Sequence, residues 1–216
     1  MVNSIKSFEE YYKQRARTWE QQAMVRARFI AGNQKTGDNF INMVKKFTYR
    51  PKLEYESIIQ ISRLREKIEK DLAEEATKGK NVKLGYGGLA DIEFSVQILQ
   101  MMYGEKNNHL RETNTLLAVA QLDALGIIDH KDSRNIKKNY LFLRNLECAL
   151  RIQYISLMSH LPKEQEKLLI LARFLKYSEK DSIDTVKKLL RDYAQTTKEI
   201  RVFYNKTIDV LLRTAL

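Results

Sequence analysis

An all-α fold is what this sequence predicts, and three observations carry the prediction. Only 2 of its 216 residues are prolines and 8 are glycines, too few breakers for a many-turned β architecture. Apolar residues recur at helical spacing along most of the chain. Capping and stopping residues interrupt those runs at intervals that suit long helices joined by short loops. The expected form is a multi-helix up-and-down bundle with at most one short extended segment, near 81–84. No repeat, low-complexity tract or flexible linker marks a boundary, so 1–216 reads as one helical domain, with a possible subdivision into 1–126 and 127–216.

The elements follow in order. From Ser7 to Ala31 one long helix is predicted, with Ser7 as N-cap and Glu9 and Glu10 in the first turn. Phe8, Tyr12, Trp19, Ala23 and Ile30 form its stripe, and Gly32-Asn33 stops it. A short helix covers Asp38 to Phe47. Tyr49-Arg50-Pro51 breaks the chain, because Pro51 pushes Arg50 out of helical geometry. A long helix then runs from Leu53 to Lys78 on the stripe Ile58, Ile61, Leu64, Ile68 and Leu72, and Gly79 ends it. Asn81 to Leu84 is extended. A glycine turn leads into a helix over Leu89 to Tyr103, then a polar loop from Gly104 to Arg111 and a helix over Glu112 to Leu125, ended by Gly126. Helices over His130 to Ser159, Lys163 to Tyr177 and Lys180 to Arg213 complete the chain.

Hydrophobic residues make up 44% of the chain, enough for a sizeable core. The single cysteine, Cys148, excludes an internal disulfide and fits a reducing cytoplasm. No N-terminal signal core and no membrane-length apolar run is present, so a cytoplasmic protein without a membrane partner is expected. The 38 Lys and Arg against 27 Asp and Glu give a net charge of +11. Such an excess suits nucleic acid, nucleotides or an acidic partner or neighbouring domain. The charges are interleaved, however, as in Arg63-Leu-Arg-Glu-Lys-Ile-Glu-Lys-Asp71, which reads as a solvated helix face.

The segment from Lys83 to Gln97 is the densest in information. It holds Gly85, Gly87 and Gly88, followed at once by Asp91 and Glu93. Polymerase-β-type nucleotidyltransferases place Gly-Gly or Gly-Ser a longer spacer ahead of an Asp-x-Asp pair on a strand, where alternate residues share a face and can share a metal. Here only Leu89-Ala90 intervenes, and the acids open a helix, where i and i+2 point about 200° apart at 3.6 residues per turn. They cannot chelate one ion. Acids in a first turn beside the positive dipole end is the better reading. The glycine turn predicts positive φ at Gly87 or Gly88, or packing too close for a Cβ.

Within the 130–159 helix, Glu147 falls on the apolar line of Ile136, Tyr140, Leu143 and Leu150, with Arg144 and Arg151 a turn away on either side. A carboxylate there needs a partner, so a structural ion cluster of Arg144, Glu147 and Arg151 is expected, which Asp91 or Glu93 could join. Arg26 shares a face with Trp19, Ala23 and Ile30. Two readings stay open: it stacks on Trp19 and snorkels, or it projects toward a phosphate on another domain. His109, His130 and His160 lack i+3 or i+4 ligand companions, so no metal site is expected. Cys148 reads as a small core residue. Walker A, Rossmann, nucleophile-elbow, RNA-recognition and zinc-finger signatures are absent, leaving no catalytic residue in this segment.

Four motifs in order then carry a resemblance: Trp19-Glu20-Gln-Gln-Ala-Met-Val-Arg26-Ala-Arg28; Gly87-Gly88-Leu-Ala-Asp91-Ile-Glu93-Phe94-x-x-Gln97; Leu110-Arg-x-x-Asn114-Thr115-Leu116; and Tyr140-x-Phe-Leu-Arg144-x-Leu-Glu147. The set resembles the glutamine synthetase adenylyltransferase family from about Phe8 to past Arg151. That family pairs two halves, each a nucleotidyltransferase domain followed by a helical bundle. One half attaches AMP from ATP to glutamine synthetase and the other removes it, under control of PII signal proteins and glutamine. The resemblance implies a fragment, the helical region after such a domain, whose Gly-Ser…Asp-x-Asp segment would precede Met1. It implies ATP and Mg in the parent enzyme but no cofactor in this segment. It also implies contact with the nucleotidyltransferase domain, with glutamine synthetase and with PII, and a cleft or phosphate-facing role for Arg26, Arg28, Trp19 and Glu20. Thr18-Trp19-Glu20 and Asp91-Ile-Glu93 lean toward the adenylylating half, Tyr49-Arg50-Pro51 and Leu99 to Gly104 toward the adenylyl-removing half. The alternative of a different class is a free-standing basic helical bundle that binds nucleic acid.

Overall fold

The computed structural model describes residues 4–51, 53–154 and 159–215. Among them every regular element is helical, and the single β pairing is an isolated bridge between Asn81 and His160. Among the described residues no helix is long and apolar enough to cross a membrane.

The first expected helix is two. α1 spans Ile5–Gln14 and α2 spans Thr18–Met24. Ser4, not Ser7, caps α1, its hydroxyl accepting the Ser7 N–H at 3.1 Å. Glu20 makes the break: it accepts the Arg17 N–H at 2.8 Å, starting α2, and the Tyr11 hydroxyl at 2.7 Å. A free backbone N–H at Arg17 is what a capping carboxylate three residues on requires. Beyond Met24 the chain loosens into i→i+3 bonds from Val25, Arg26 and Ala27 rather than running to Ala31. Trp19 and Ile30, placed on the predicted stripe, are therefore exposed, Ile30 at 81%.

α3 starts earlier than predicted, spanning Gln34–Thr48, because Asn33 caps it by accepting the Thr36 N–H. α4 spans Tyr55–Leu72 and the short α5 spans Glu75–Lys78. These were expected as one helix. Glu74 turns left-handed between them (φ 51°), and the Ala73 carbonyl freed there is taken by the Asn81 amide and the His160 ring. Asn81 also folds the expected extended segment into a turn by accepting the N–H groups of Lys83 and Leu84.

α6 spans Leu89–Tyr103, as predicted, and touches α2, α4, α7, α8 and α10. Gln100 on α6 donates to the carbonyls of Leu110 and Glu112, shaping the following loop, which holds a 3-10 turn at Asn108–Leu110. α7 spans Thr115–Ala124, opened by Asn114, whose side chain accepts from Leu116 and Leu117. α8 spans His130–Tyr154. The predicted continuation over 155–158 lies outside the described residues, and Ser159 is non-helical. α9 (Gln165–Phe174) and α10 (Ser182–Ala215) are each shifted slightly from prediction. At 34 residues, α10 runs about 50 Å and packs on α4, α6, α8 and α9.

One hydrophobic core joins Ile58, Ile61, Leu89, Ile92, Leu143, Leu146, Leu189 and Ile200, among others. A small second cluster of Tyr12, Val44 and Phe47 lies between α1 and α3. Further placements differ from the sequence reading: Leu72, on the predicted stripe of α4, is exposed. Cys148 is exposed, since the inward side of that turn of α8 belongs to Leu146, Glu147 and Leu150. The supposedly solvated 63–71 face holds Arg65, which is fully buried.

Candidate functional site: an arginine-lined cleft

The glycine turn is built for a close approach. Gly87 has φ 63°, and a Cβ there would overlap the Thr197 carbonyl on α10. A Cβ at Gly88 would lie 2.8 Å from the Lys83 carbonyl. The turn thus seats the start of α6 hard against α10.

From that start Asp91 and Glu93 point into different networks. Asp91, with no exposure, accepts from Arg65 Nε at 2.6 Å and from the Gly87 N–H at 3.0 Å, and Arg201 Nε lies 2.9 Å away. Arg65 also donates to the Gly85 carbonyl, and both arginines pair with Glu69. Arg201 stacks over Tyr86, 4.5 Å from its ring centre. Burial pushes the Asp91 carboxyl above its ordinary value, against the pull of Arg65 and Arg201. This network locks α4, the glycine turn, α6 and α10 together. Sequence reasoning missed Arg65 and Arg201. Arg65 stands four residues after Ile61 and seven after Ile58, the same signal that singled out Glu147.

Glu93 faces the other way, into an open cleft of about 560 Å³ lined by Arg26, Arg28, Glu93, Gln97, Thr113 to Leu116 and Tyr140. Its Oε1 is 2.5 Å from Arg144 Nη2 and 3.8 Å from Arg26 Nη2. Arg26 donates to the Thr113 carbonyl (3.1 Å) and the Thr115 hydroxyl (2.7 Å), which turns its guanidinium to the cleft wall rather than onto Trp19. Arg144 reaches the Tyr140 hydroxyl and, through Nη1, Glu147 at 2.7 Å. Glu147 is 2% exposed and also accepts from Arg151 at 2.8 Å. Burial weakens the Arg144 cation, but its bonds to Tyr140 and Glu147 outweigh that and raise its pKa further. Glu93, not Asp91, joins this cluster. Arg28 is exposed on the rim without a partner. Trp19 and Glu20 lie elsewhere: Trp19 beside Gln60, Ile61 and Leu64, and Glu20 in its α2 cap.

Each of the four motifs singled out in the sequence contributes to this one cleft: Arg26 and Arg28, Glu93 and Gln97, Asn114 to Leu116, and Tyr140 with Arg144. Among the described residues no group of three or more His, Cys, Asp and Glu could hold a metal. The class defined is a helical region that presents a basic cleft on a rigid, ion-tied frame. Comparison with known proteins gives it a family. The sequence model of PII-uridylyltransferase (GlnD) matches residues 59–208, and that of glutamate-ammonia ligase adenylyltransferase matches residues 1–43. Similar curated proteins include the bifunctional glutamine synthetase adenylyltransferase/adenylyl-removing enzyme of Hahella chejuensis, 31% identical over 163 residues, covering 76% of this chain and 17% of the relative. The enzymes of the same name from Mycobacterium bovis and Bartonella quintana are each 32% identical, covering 80% and 82% of this chain and 18% of each relative. The chain belongs to the glutamine synthetase adenylyltransferase family. It spans less than a fifth of the length of these relatives.

Proposed function

We propose that this chain is the helical, non-catalytic region of an enzyme that adenylylates and deadenylylates glutamine synthetase. It docks on a nucleotidyltransferase domain of the same polypeptide, with the Arg26–Arg144 cleft turned toward that domain. Glutamine synthetase is the protein substrate, and a PII-type regulator acts on the assembled enzyme in the cytoplasm. The observation that carries this reading is the convergence of four sequence-distant motifs on one cleft. A frame needed only for packing has no reason to spend an exposed, partnerless Arg28 there. ATP and Mg²⁺ belong to the neighbouring domain in this reading. Asp91 is fully engaged by Arg65, Arg201 and the Gly87 N–H, and Glu93 is held by Arg144, so the two offer no shared metal position.

The experiment is an AMP-transfer assay with the purified chain, labelled ATP, Mg²⁺ and glutamine synthetase, run in both directions. No transfer and no removal are expected. Metal-dependent transfer that disappears in Asp91→Ala would overturn the non-catalytic assignment.

A further inference from the structure

We propose that the groove between α1 and α3 docks an acidic amphipathic helix of a partner protein. The groove shares no lining residue with the Arg26–Arg144 cleft, so the proposal does not rest on the reading of that cleft. Charge singles out this part of the chain. Residues 1–51 hold ten Lys and Arg against four Asp and Glu, a net +6 of the chain's +11 in under a quarter of its length. Along the groove the cations are Lys13, Lys46 and Arg50, and the one carboxylate, Glu9, is taken by Lys13 at 2.8 Å. Lys46 and Arg50 are exposed and make no ion pair among the described residues, Lys46 acting on Glu9 only through space. A rim with uncompensated positive charge favours an acidic partner and repels a basic one.

The floor decides what kind of acidic partner fits. Tyr12 and Phe47 are buried and stacked, with ring centres 4.7 Å apart. Arg50 lies over the Phe47 ring at 4.8 Å while its Nε donates to the Phe47 carbonyl at 3.2 Å, so its cation is already held beside the apolar floor. Ile5 and Met43, both half-buried, add to that floor, and a methionine adapts its shape to whatever packs on it. Every lining residue comes from α1, α3 or the turn after α3. α1 packs chiefly on α3, and the Tyr12–Val44–Phe47 cluster is separate from the main core, so no other helix closes the groove. It encloses about 740 Å³ and runs along a helix of 10 residues, about 15 Å, which is room for about three turns of a partner helix. An apolar trough with a basic rim matches a helix whose apolar face is flanked by Asp or Glu. A nucleic-acid duplex would meet the rim with its phosphates but has no apolar face to offer the floor.

The test is fluorescence anisotropy of the whole chain, at fixed physiological salt, with three synthetic helical peptides of about 15 residues. The first carries Leu and Phe along one face and Glu elsewhere. The second has Lys in place of Glu, and the third keeps Glu but has Gln along the apolar face. A DNA duplex is the fourth probe. Saturable one-to-one binding of the first peptide is expected, about tenfold or more tighter than that of any other probe. Lys46→Glu combined with Arg50→Glu should weaken it about tenfold or more, the size of two rim attractions turned to repulsion. Arg134→Glu combined with Lys138→Glu, the same charge change at exposed positions of α8, should leave it within about twofold. Met43→Asp should weaken it too. Circular dichroism melts keep loss of binding apart from loss of fold; if Met43→Asp unfolds, the exposed Lys46 and Arg50 pair decides alone. No saturable binding of the first peptide, equal binding of the Gln-faced peptide, tighter binding of the duplex, or binding unchanged by the Lys46 and Arg50 reversal would each overturn the proposal.

Discussion

Two buried carboxylates set the stability hierarchy at the residue scale. Asp91 and Arg65 are both without exposure, whereas Glu147 is buried but its arginines keep roughly a third or more of their side chains in solvent. Removing one partner of a fully buried pair strands the other and costs about 3–5 kcal/mol. Asp91→Ala should reach that range, because Arg65 has nowhere to hydrate. Glu147→Ala should cost less, about 2 kcal/mol, because Arg144 and Arg151 can turn to water. Urea unfolding of the two variants checks the order; a Glu147→Ala loss equal to or larger than that of Asp91→Ala contradicts it. The Glu147 position was legible in the sequence because a charged residue on an apolar line is conspicuous. Arg65 was hidden by its neighbours, since Arg63, Glu66 and Lys67 make the same stretch look uniformly solvated. Glu69, which reads as a surface acid, is drawn into the Arg65–Arg201 network for that reason.

Turns and caps, at the scale of elements, decided where the sequence reading held. α6 was predicted to the residue because a glycine turn and Gly104 bracket a mostly apolar, breaker-free run. The first helix was misread because Glu20, inside the run, caps a new helix by accepting the Arg17 N–H, and periodicity alone does not register such a break. The glycine turn gives a direct comparison. Gly87 and Gly126 both have φ near +65°, but a Cβ at Gly126 would meet open space and one at Gly87 the Thr197 backbone. Gly126→Ala should therefore cost about 1 kcal/mol, the strain of the left-handed conformation alone. Gly87→Ala should cost clearly more, and equal losses in paired melts would show that α10 yields. The start of α8 carries a pH signature. Asp129 accepts the Asp132 N–H at 2.8 Å and Lys206 Nζ on α10 at 3.0 Å. The backbone bond first and Lys206 second hold its carboxyl down at about 2, from an ordinary 3.8. A depressed folded-state pKa means the contribution is present above pH 3.8 and is lost as pH falls toward 2. The melting-temperature gap between parent and Asp129→Ala should accordingly close over that window, and a gap that persists at pH 2 would contradict the assignment.

For the whole molecule, the all-α class followed from the scarcity of breakers, and the family from four motifs in sequence order. What the sequence could not show was that those motifs meet. Arg26 comes from the turn after α2, Glu93 from α6, Thr115 from the head of α7 and Tyr140 from α8. Their convergence depends on the Asp91 network on the opposite side of α6, invisible without the packing of α10. The net charge of +11 also takes on a location, since part of the excess stands around one cleft. Whether this cleft serves AMP transfer from a neighbouring domain is tested by AMP transfer to and removal from glutamine synthetase, using the polypeptide that joins this region to a nucleotidyltransferase domain and comparing parent with Arg28→Ala. Arg28 is exposed and unbonded, so its loss should leave the melting temperature unchanged. A drop of about tenfold or more is expected in at least one direction of the reaction, the size of one charge-assisted contact. Parent-like rates in both directions, with the fold intact, would contradict it.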